Sequence, residues 1–205
     1  MASAATNCDA DYLCKYHYQT EKHLWIYDFT PSCLDGTDYP YVVPERNDNM
    51  MYHFQMCGVT KKQCSPGAKF FSRGTMVQTF DSGGGGGEVC EVLGTGNPIY
   101  SPWEATSLDH PPNGINITFN GPPPNLQKPD LCPEDKGKDM YPGRSGVFRL
   151  ACDQSVNGLE IDLVDESPTC FYQVYGRTRF ACASRYRGPD ASAADTGDPN
   201  QFIGL

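Results

Sequence analysis

Hydrophobic and polar residues alternate along much of this chain with the two-residue period of a β-strand. The segment GINITFN at 114–120 is the clearest case, because Ile115, Ile117 and Phe119 fall on one face while Asn116 and Thr118 fall on the other. The pattern predicts a strand with one buried and one solvent-facing side.

Eight further segments carry strand signals bounded by Gly, Pro and Asn turns. These predicted strands are residues 24–29, 51–56, 75–80, 88–93, 145–152, 159–164, 171–176 and 178–183. No segment sustains a 3.6-residue period, apart from a possible helical turn at 11–18. Many short strands with tight turns predict an all-β fold, either an antiparallel sandwich or a flattened barrel.

Three segments interrupt the strand pattern and suggest the domain organisation. The five glycines at 83–87 lack the Gly-Lys-Ser/Thr of a phosphate-binding loop and predict a flexible hairpin tip. Residues 120–140 are rich in proline and predict a long loop anchored by Cys132, and residues 188–205 predict a flexible acidic linker. We therefore expect an N-terminal extension at 1–19, one domain at 20–187 and a tail at 188–205.

The charge balance narrows the range of partners. The 205 residues contain 16 Lys and Arg against 25 Asp and Glu, for a net charge of -9. Nucleic-acid binding requires clustered basic residues, so this class is excluded. No apolar run approaches the roughly 18 residues of a membrane span, so any membrane attachment is expected only through segments outside this sequence.

The ten cysteines indicate an oxidising compartment. They are spread over almost the whole chain, and no two have the CxxC spacing of zinc or thioredoxin-like sites. Such usage favours a disulfide framework in an extracytoplasmic protein. The sequon that begins at Asn116 is a predicted N-glycosylation site and agrees with this placement. The first residues lack the basic and apolar regions of a signal peptide.

No group of residues has the pattern of a catalytic centre. The sequence GRSG at 143–146 lacks the spacing of a nucleophile elbow, and the four histidines have no metal-ligand spacing. We therefore expect no enzymatic activity, no metal and no cofactor.

Strand parity places three polar side chains on faces that should be buried. They are Arg144, Gln78 and Tyr172, which share faces with Phe148, Met76 and Cys170 respectively. Buried polar groups need hydrogen-bond partners. Either these side chains satisfy one another, or they bind a polar ligand, and parity alone leaves both alternatives open.

An ordered series of motifs resembles the mannose 6-phosphate receptor homology domain, the lectin module of sorting receptors and of glycan-recognition proteins of the endoplasmic reticulum. The motifs are YDFTP at 27–31, YHFQMCG at 52–58, LG at 93–94, WE at 103–104, GINITFNG at 114–121, RSGVFRLACD at 144–153 and the segment 166–182, which begins with Glu and ends with Ala-Cys. The resemblance covers residues 20–185.

The resemblance implies a flattened β-barrel of two crossed antiparallel sheets that binds a terminal mannose through a Gln, an Arg, a Glu and a Tyr. The matching residues here are Gln78, Arg144, Glu166 and Tyr172, with Glu91 as the alternative position for the Gln. Arg144 and Gln78 would donate to the 2-hydroxyl, Glu166 would accept from the 3- and 4-hydroxyls, and Tyr172 would close the pocket.

The resemblance also implies a disulfide pattern. Cys132 is expected to pair with Cys170, Cys152 with Cys182, and Cys64 with Cys90. Cys57 is expected to pair with Cys14 or Cys8, and Cys33 with the other.

We therefore expect an extracytoplasmic lectin domain for mannose-type N-glycans, in the lumen of the secretory pathway or outside the cell, with the luminal part of a sorting receptor as one setting. Its partners would be mannose-terminated glycans on glycoproteins. Segment 133–143 would lie near the phosphate if the sugar carried one. It mixes acidic and basic residues and so offers no clear anion site, which favours a non-phosphorylated glycan. Two alternatives are a module that has lost sugar binding and contacts a protein, and a non-catalytic accessory domain of a glycan-processing enzyme.

Overall fold

A computed structural model describes residues 14–35, 38–44, 49–64, 74–83, 86–104, 111–121, 144–167 and 170–186. Within them lie eleven strands, one short helix and one 3₁₀ turn, which confirms the all-β prediction. The strands are β1 (Lys15–Gln19), β2 (Leu24–Asp28), β3 (Tyr39–Val42), β4 (Met51–Phe54), β5 (Met76–Asp81), β6 (Glu88–Trp103), β7 (Gly114–Asn120), β8 (Ser145–Cys152), β9 (Glu160–Glu166), β10 (Phe171–Thr178) and β11 (Ser184–Arg185). The helix α1 spans Thr30–Asp35, and the 3₁₀ turn spans Arg179–Ala181.

The strands form two sheets. A three-stranded sheet has the order β1-β2-β11, and an eight-stranded sheet has the order β3-β4-β5-β6-β7-β8-β10-β9. All neighbouring pairs are antiparallel except β8 and β10, which are parallel. This corrects the expectation of purely antiparallel pairing. The chain leaves β8, forms β9 at the sheet edge and returns as β10 between the two, so β10 runs in the direction of β8.

The eight-stranded sheet folds over on itself without closing into a barrel, which corrects the expected barrel. Strands β4 and β10 are five steps apart in the sheet, roughly 24 Å if it were flat. Yet the rings of Tyr52 on β4 and Tyr172 on β10 lie only 6.3 Å apart. Strand β6 makes the bend, because residues 88–94 pair with β5 while residues 95–103 pair with β7. We call the side that folds inward the concave face.

The hydrophobic core fills the concave face. Phe148 packs against Phe54 and Phe119, with ring centroids 5.5 and 5.3 Å away. Phe119, Ile117 and Ile115 are all buried, as the alternation in β7 predicts. A Cβ atom on Gly146 would lie 2.5 Å from the Phe119 ring, so this position of β8 admits no side chain without repacking.

A smaller cluster covers the opposite side of β5 and β6. Cys64, Val77 and Val92 are buried there, and the disulfide between Cys64 and Cys90 lies beside them. Strand β5 is therefore buried on both faces, which explains why residues 76–79 have no exposed side.

Two predictions near the chain ends need correction. The helical turn expected at 11–18 is present at Cys14, but from Lys15 onward the chain forms β1, where Tyr16 stacks on Tyr100 with ring centroids 5.7 Å apart. Residues 11–13 lie outside the described part. The strand expected at 178–183 is wrong, because Arg179–Ala181 form the 3₁₀ turn. The Thr178 hydroxyl caps the start of this turn by accepting from Phe180 N.

Three disulfide bonds join the described residues. Cys64–Cys90 and Cys152–Cys182 confirm two expected pairs, and Cys14–Cys57 settles one that the resemblance left between Cys14 and Cys8. Cys33 and Cys170 are also disulfide-bonded. Their expected partners, Cys8 and Cys132, lie outside the described residues, as do most of the loop 120–140 and the tail 188–205.

Two further findings concern loops and helices. Ser82 N donates to Gly87 O at 3.1 Å, and Gly83 and Gly87 have φ angles of 71° and 85°, so the ends of the glycine run form a hairpin connection as predicted. No helix in the described ranges has the length and apolarity to cross a membrane.

Candidate functional site

A row of polar side chains crosses three strands at one end of the concave face. Tyr52 on β4 is the register partner of Gln78 on β5, and Gln78 is the partner of Glu91 on β6. Side chains that are opposite one another in a ladder share a face. Glu91 has the parity of the core residue Leu93, so the whole row points into the fold.

Arg144 meets this row from the other layer of the folded sheet. Its backbone lies immediately before β8, and its side chain is only 12% exposed. The guanidinium Nη1 donates to the Tyr172 hydroxyl at 2.8 Å, and Nη2 lies 3.0 Å from Oε2 of Glu91. Charge-assisted bonds of this kind are the stronger hydrogen bonds in proteins. Arg144 therefore joins the two layers through two polar contacts.

Tyr172 and Glu166 form the opposite wall. Glu166 on β9 is the register partner of Tyr172 on β10, and its Oε1 accepts from Cys170 N at 2.8 Å. Burial raises the pKa of Tyr172 far above its ordinary value, the negative charge of Glu166 raises this pKa further, and Arg144 opposes the rise. The phenol therefore stays neutral and keeps its proton at physiological pH.

Tyr52 connects the Gln78 side of the site to the Tyr172 side. Gln78 Nε2 donates to the Tyr52 hydroxyl at 3.1 Å, and the ring of Tyr52 meets that of Tyr172 edge-on. We call the six residues of this arrangement the polar network: Tyr52, Gln78, Glu91, Arg144, Glu166 and Tyr172.

The structure thus brings the predicted site residues into one arrangement. Arg144 and Tyr172 are in direct contact, Glu166 is paired with Tyr172, and Gln78 reaches Tyr172 through Tyr52. Gln78 is only 5% exposed, and its amide N–H groups are directed at Tyr52 and at Met50 Sδ, 3.4 Å away. The amide donors are therefore engaged inside the fold, which differs from the ligand-donor role that we expected.

Glu91, the alternative position for the glutamine, lies in direct contact with Arg144 and is more exposed, at 35%. The sequence alone left this residue second to Gln78. Its parity with Leu93 is the signal that could have placed it on the concave face. The pairing with Arg144 spans the two layers and is not visible in either strand alone.

The polar network offers hydroxyl-binding chemistry without a nucleophile–base pair. Its members supply guanidinium donors, amide and phenol groups and carboxylate acceptors within one patch. No histidine, serine or cysteine side chain belongs to it. The cluster of potential metal ligands found in the described ranges is Cys14, Cys33 and Cys57, and disulfide bonding removes their thiolates.

The sequon residue Asn116 lies on the convex side of β7. It is half-buried, its register partners are Ser101 and Arg149, and its Oδ1 is buried without a hydrogen-bond partner. The predicted parity is therefore correct, although the side chain is less exposed than a surface position.

A hollow of about 270 Å³ lies apart from the polar network, on the convex side of β4–β6. Polar groups that line it bond to one another, with Asn49 donating to Asp81 at 2.6 Å and Lys62 to Glu88 at 2.5 Å. Burial and Lys62 lower the pKa of His53, which lines this hollow. None of the predicted site residues lies there.

No protein-family model matches this chain, and no curated protein sequence matches it significantly. The resemblance to the lectin module therefore rests on the ordered motifs alone.

Proposed function

We propose that the polar network binds a carbohydrate, in particular the terminal mannose of an N-glycan, and that the chain is a non-catalytic lectin domain. The observation that carries the proposal is the meeting of Arg144, Tyr172 and Glu166 with Gln78 at one end of the concave face, from four different strands or strand ends. These residues belong to motifs that lie far apart in the sequence.

The chemistry suits a pyranose, whose neighbouring hydroxyls each donate and accept. Arg144 would donate to one hydroxyl, and the exposed carboxylate of Glu166 would accept from two others. Gln78 and Tyr172, which are buried, would hold Tyr52 and Arg144 in place for these contacts. A small polar site of this kind binds one sugar weakly, on the order of mM to tens of μM, and gains strength from clustered ligands.

The setting that fits is the secretory pathway lumen or the extracellular space, where glycoproteins carry mannose-terminated glycans. The disulfide bonds, which are typical of oxidising compartments, support this setting. The luminal portion of a sorting receptor is one such context.

A glycan array with the oxidised protein, at neutral and mildly acidic pH, tests the proposal. Arg144→Ala should abolish binding to mannose-terminated glycans, and Arg149→Ala is its matched control. Arg149 lies on β8, which begins directly after Arg144, but on the convex side, where it packs over the Tyr175 ring. Equal binding by wild type and Arg144→Ala would remove the site assignment, and no binding by wild type would refute the lectin proposal.

One observation favours a second candidate, a protein-interaction module that keeps the fold without binding sugar. Arg144 already has Tyr172 and Glu91 as partners, so the network can serve to join the two layers. In that case Arg144→Ala would lower stability, and wild type would bind no glycan. A pull-down with the oxidised domain would then be expected to recover a specific protein that Arg149→Ala still binds.

A further inference from the structure

We propose that Glu91 makes the site selective for neutral sugars over anionic ones. The inference rests on the proposed carbohydrate-binding function and names the ligand class and the residue that selects it. The observation behind it is that Glu91 Oε2 lies 3.0 Å from Nη2 of Arg144, the cation of the polar network.

The described part of the network carries an excess of negative charge. Arg144 contributes one positive charge, and Glu91 and Glu166 contribute one negative charge each. Three further described cations, on these strands or in the segment between β4 and β5, are engaged elsewhere. Lys62 pairs with Glu88 and Arg149 with Gln173 on the convex side, and Arg177 pairs with Glu160 at the far end of β9. A phosphate, sulfate or carboxylate on the sugar would therefore meet net negative charge among the described residues of the polar network.

Glu91 also controls access to Arg144. Its carboxylate contacts Nη2 while the Tyr172 hydroxyl accepts from Nη1, so two partners fix the orientation of the guanidinium. An anionic ligand would have to compete with Glu91 for the same cation. A neutral hydroxyl adds a hydrogen bond without displacing the carboxylate, so Glu91 positions Arg144 for uncharged ligands.

The charge effect can be separated from the hydrogen bond with Glu91→Gln. The amide keeps an oxygen that can accept from Arg144 but removes the charge. For a ligand charge several ångströms away in a partly exposed site, the lost repulsion should raise the ratio of anionic to neutral binding about three- to tenfold. Glu88→Gln is the matched control, since Glu88 lies on the same strand on the convex side, paired with Lys62.

The experiment measures binding of methyl α-mannoside and of its 6-phosphate to wild type, Glu91→Gln and Glu88→Gln. Wild type should prefer the neutral sugar, Glu91→Gln should shift the ratio toward the phosphate, and Glu88→Gln should behave as wild type. Raising the salt concentration should narrow the preference of wild type, a readout that needs no variant.

The outcomes separate this inference from the proposal on which it rests. Equal binding of both mannosides by wild type, or an unchanged ratio in Glu91→Gln, would overturn the role of Glu91 while leaving a mannose site in place. Binding of neither mannoside by wild type would overturn the carbohydrate proposal and this inference together.

Discussion

The bond between Arg144 and Tyr172 can be tested by removing one oxygen atom. Tyr172→Phe deletes the hydroxyl that accepts from Arg144 Nη1 at 2.8 Å and leaves the ring, which meets Tyr52 edge-on, in place. The ring is 1% exposed, so water cannot readily replace the lost acceptor. The substitution therefore isolates one charge-assisted hydrogen bond between the two layers.

The expected cost is larger than for an ordinary tyrosine hydroxyl. A buried hydrogen bond to a charged group contributes about 1.5–3 kcal/mol to the free energy of unfolding. The matched substitution, Tyr175→Phe, removes a neutral bond from the half-buried Tyr175 hydroxyl to Gln173 Oε1 at 3.2 Å. That bond should contribute about 0.5–1.5 kcal/mol. We expect Tyr172→Phe to lower the free energy of unfolding by about 1–2 kcal/mol more than Tyr175→Phe does.

Guanidinium unfolding at neutral pH, with the disulfides intact, measures the difference. With a denaturant slope of about 4 kcal/mol/M, a loss of 2 kcal/mol lowers the midpoint by about 0.5 M. A double-mutant cycle with Arg144→Met should give a coupling energy of about 1–2 kcal/mol. Under the lectin proposal, mannose binding should also weaken in Tyr172→Phe and persist in Tyr175→Phe.

Two results would refute this reasoning. Equal destabilisation by the two substitutions would mean that the Arg144 bond adds nothing beyond a neutral one. Additivity of Tyr172→Phe and Arg144→Met in the cycle would mean that the two side chains do not interact energetically.

Two further predictions concern the framework around the site. Replacing Cys64 and Cys90 together by alanine should lower the free energy of unfolding by about 3 kcal/mol, because the bond closes a loop with a sequence separation of 26 residues. Chemical denaturation measures this loss, and a value below about 1 kcal/mol would contradict the entropic reasoning. The pKa values of Tyr27 and Tyr172 are raised mainly by burial, so the folded protein holds these protons more tightly than the unfolded chain. The contribution of these tyrosines to stability should therefore be constant below about pH 10 and fall above it, by up to about 1.4 kcal/mol per pH unit for each tyrosine, and unfolding curves at pH 9.5 and 10.5 that coincide would contradict this.

Local pattern was sufficient to predict eight of the eleven described strands and the faces of their side chains, but it missed the short strands β1, β3 and β11. Alternation in β7 separates buried Ile117 from half-buried Asn116, and the same parity puts Arg144 and Tyr172 on the core side. Such periodicity reflects only which side of one strand faces water, so it survives whatever the sheet does at longer range. This is why the candidate residues could be chosen before their neighbours were known.

Features set by distant parts of the chain were not predictable in this way. The parallel pairing of β8 and β10 depends on where β9 lies, and the fold-over of the sheet depends on the bend within β6. The contact of Glu91 with Arg144 exists only because that bend brings β6 opposite the start of β8. The 3₁₀ turn Arg179–Ala181 likewise depends on Cys182 being tied to Cys152, a constraint that strand propensity does not contain.

The internal hydrogen bonds of the polar network are compatible with ligand binding. A group with several hydrogen-bonding positions can use one of them to stay oriented and another to bind a ligand. A carboxylate can accept about four hydrogen bonds, and Oε1 of the exposed Glu166 accepts one from Cys170 N. Arg144 carries five N–H donors, and its contacts with Tyr172 and Glu91 fix the plane in which those donors lie. Groups that are already oriented lose little freedom when a sugar binds, so less of the interaction energy is spent on ordering them. If the network served only to join the two layers, an exposed carboxylate beside it would add nothing to that role. Glu166→Gln therefore distinguishes the two functions most directly, since it should leave unfolding nearly unchanged in both cases and remove mannose binding in only one.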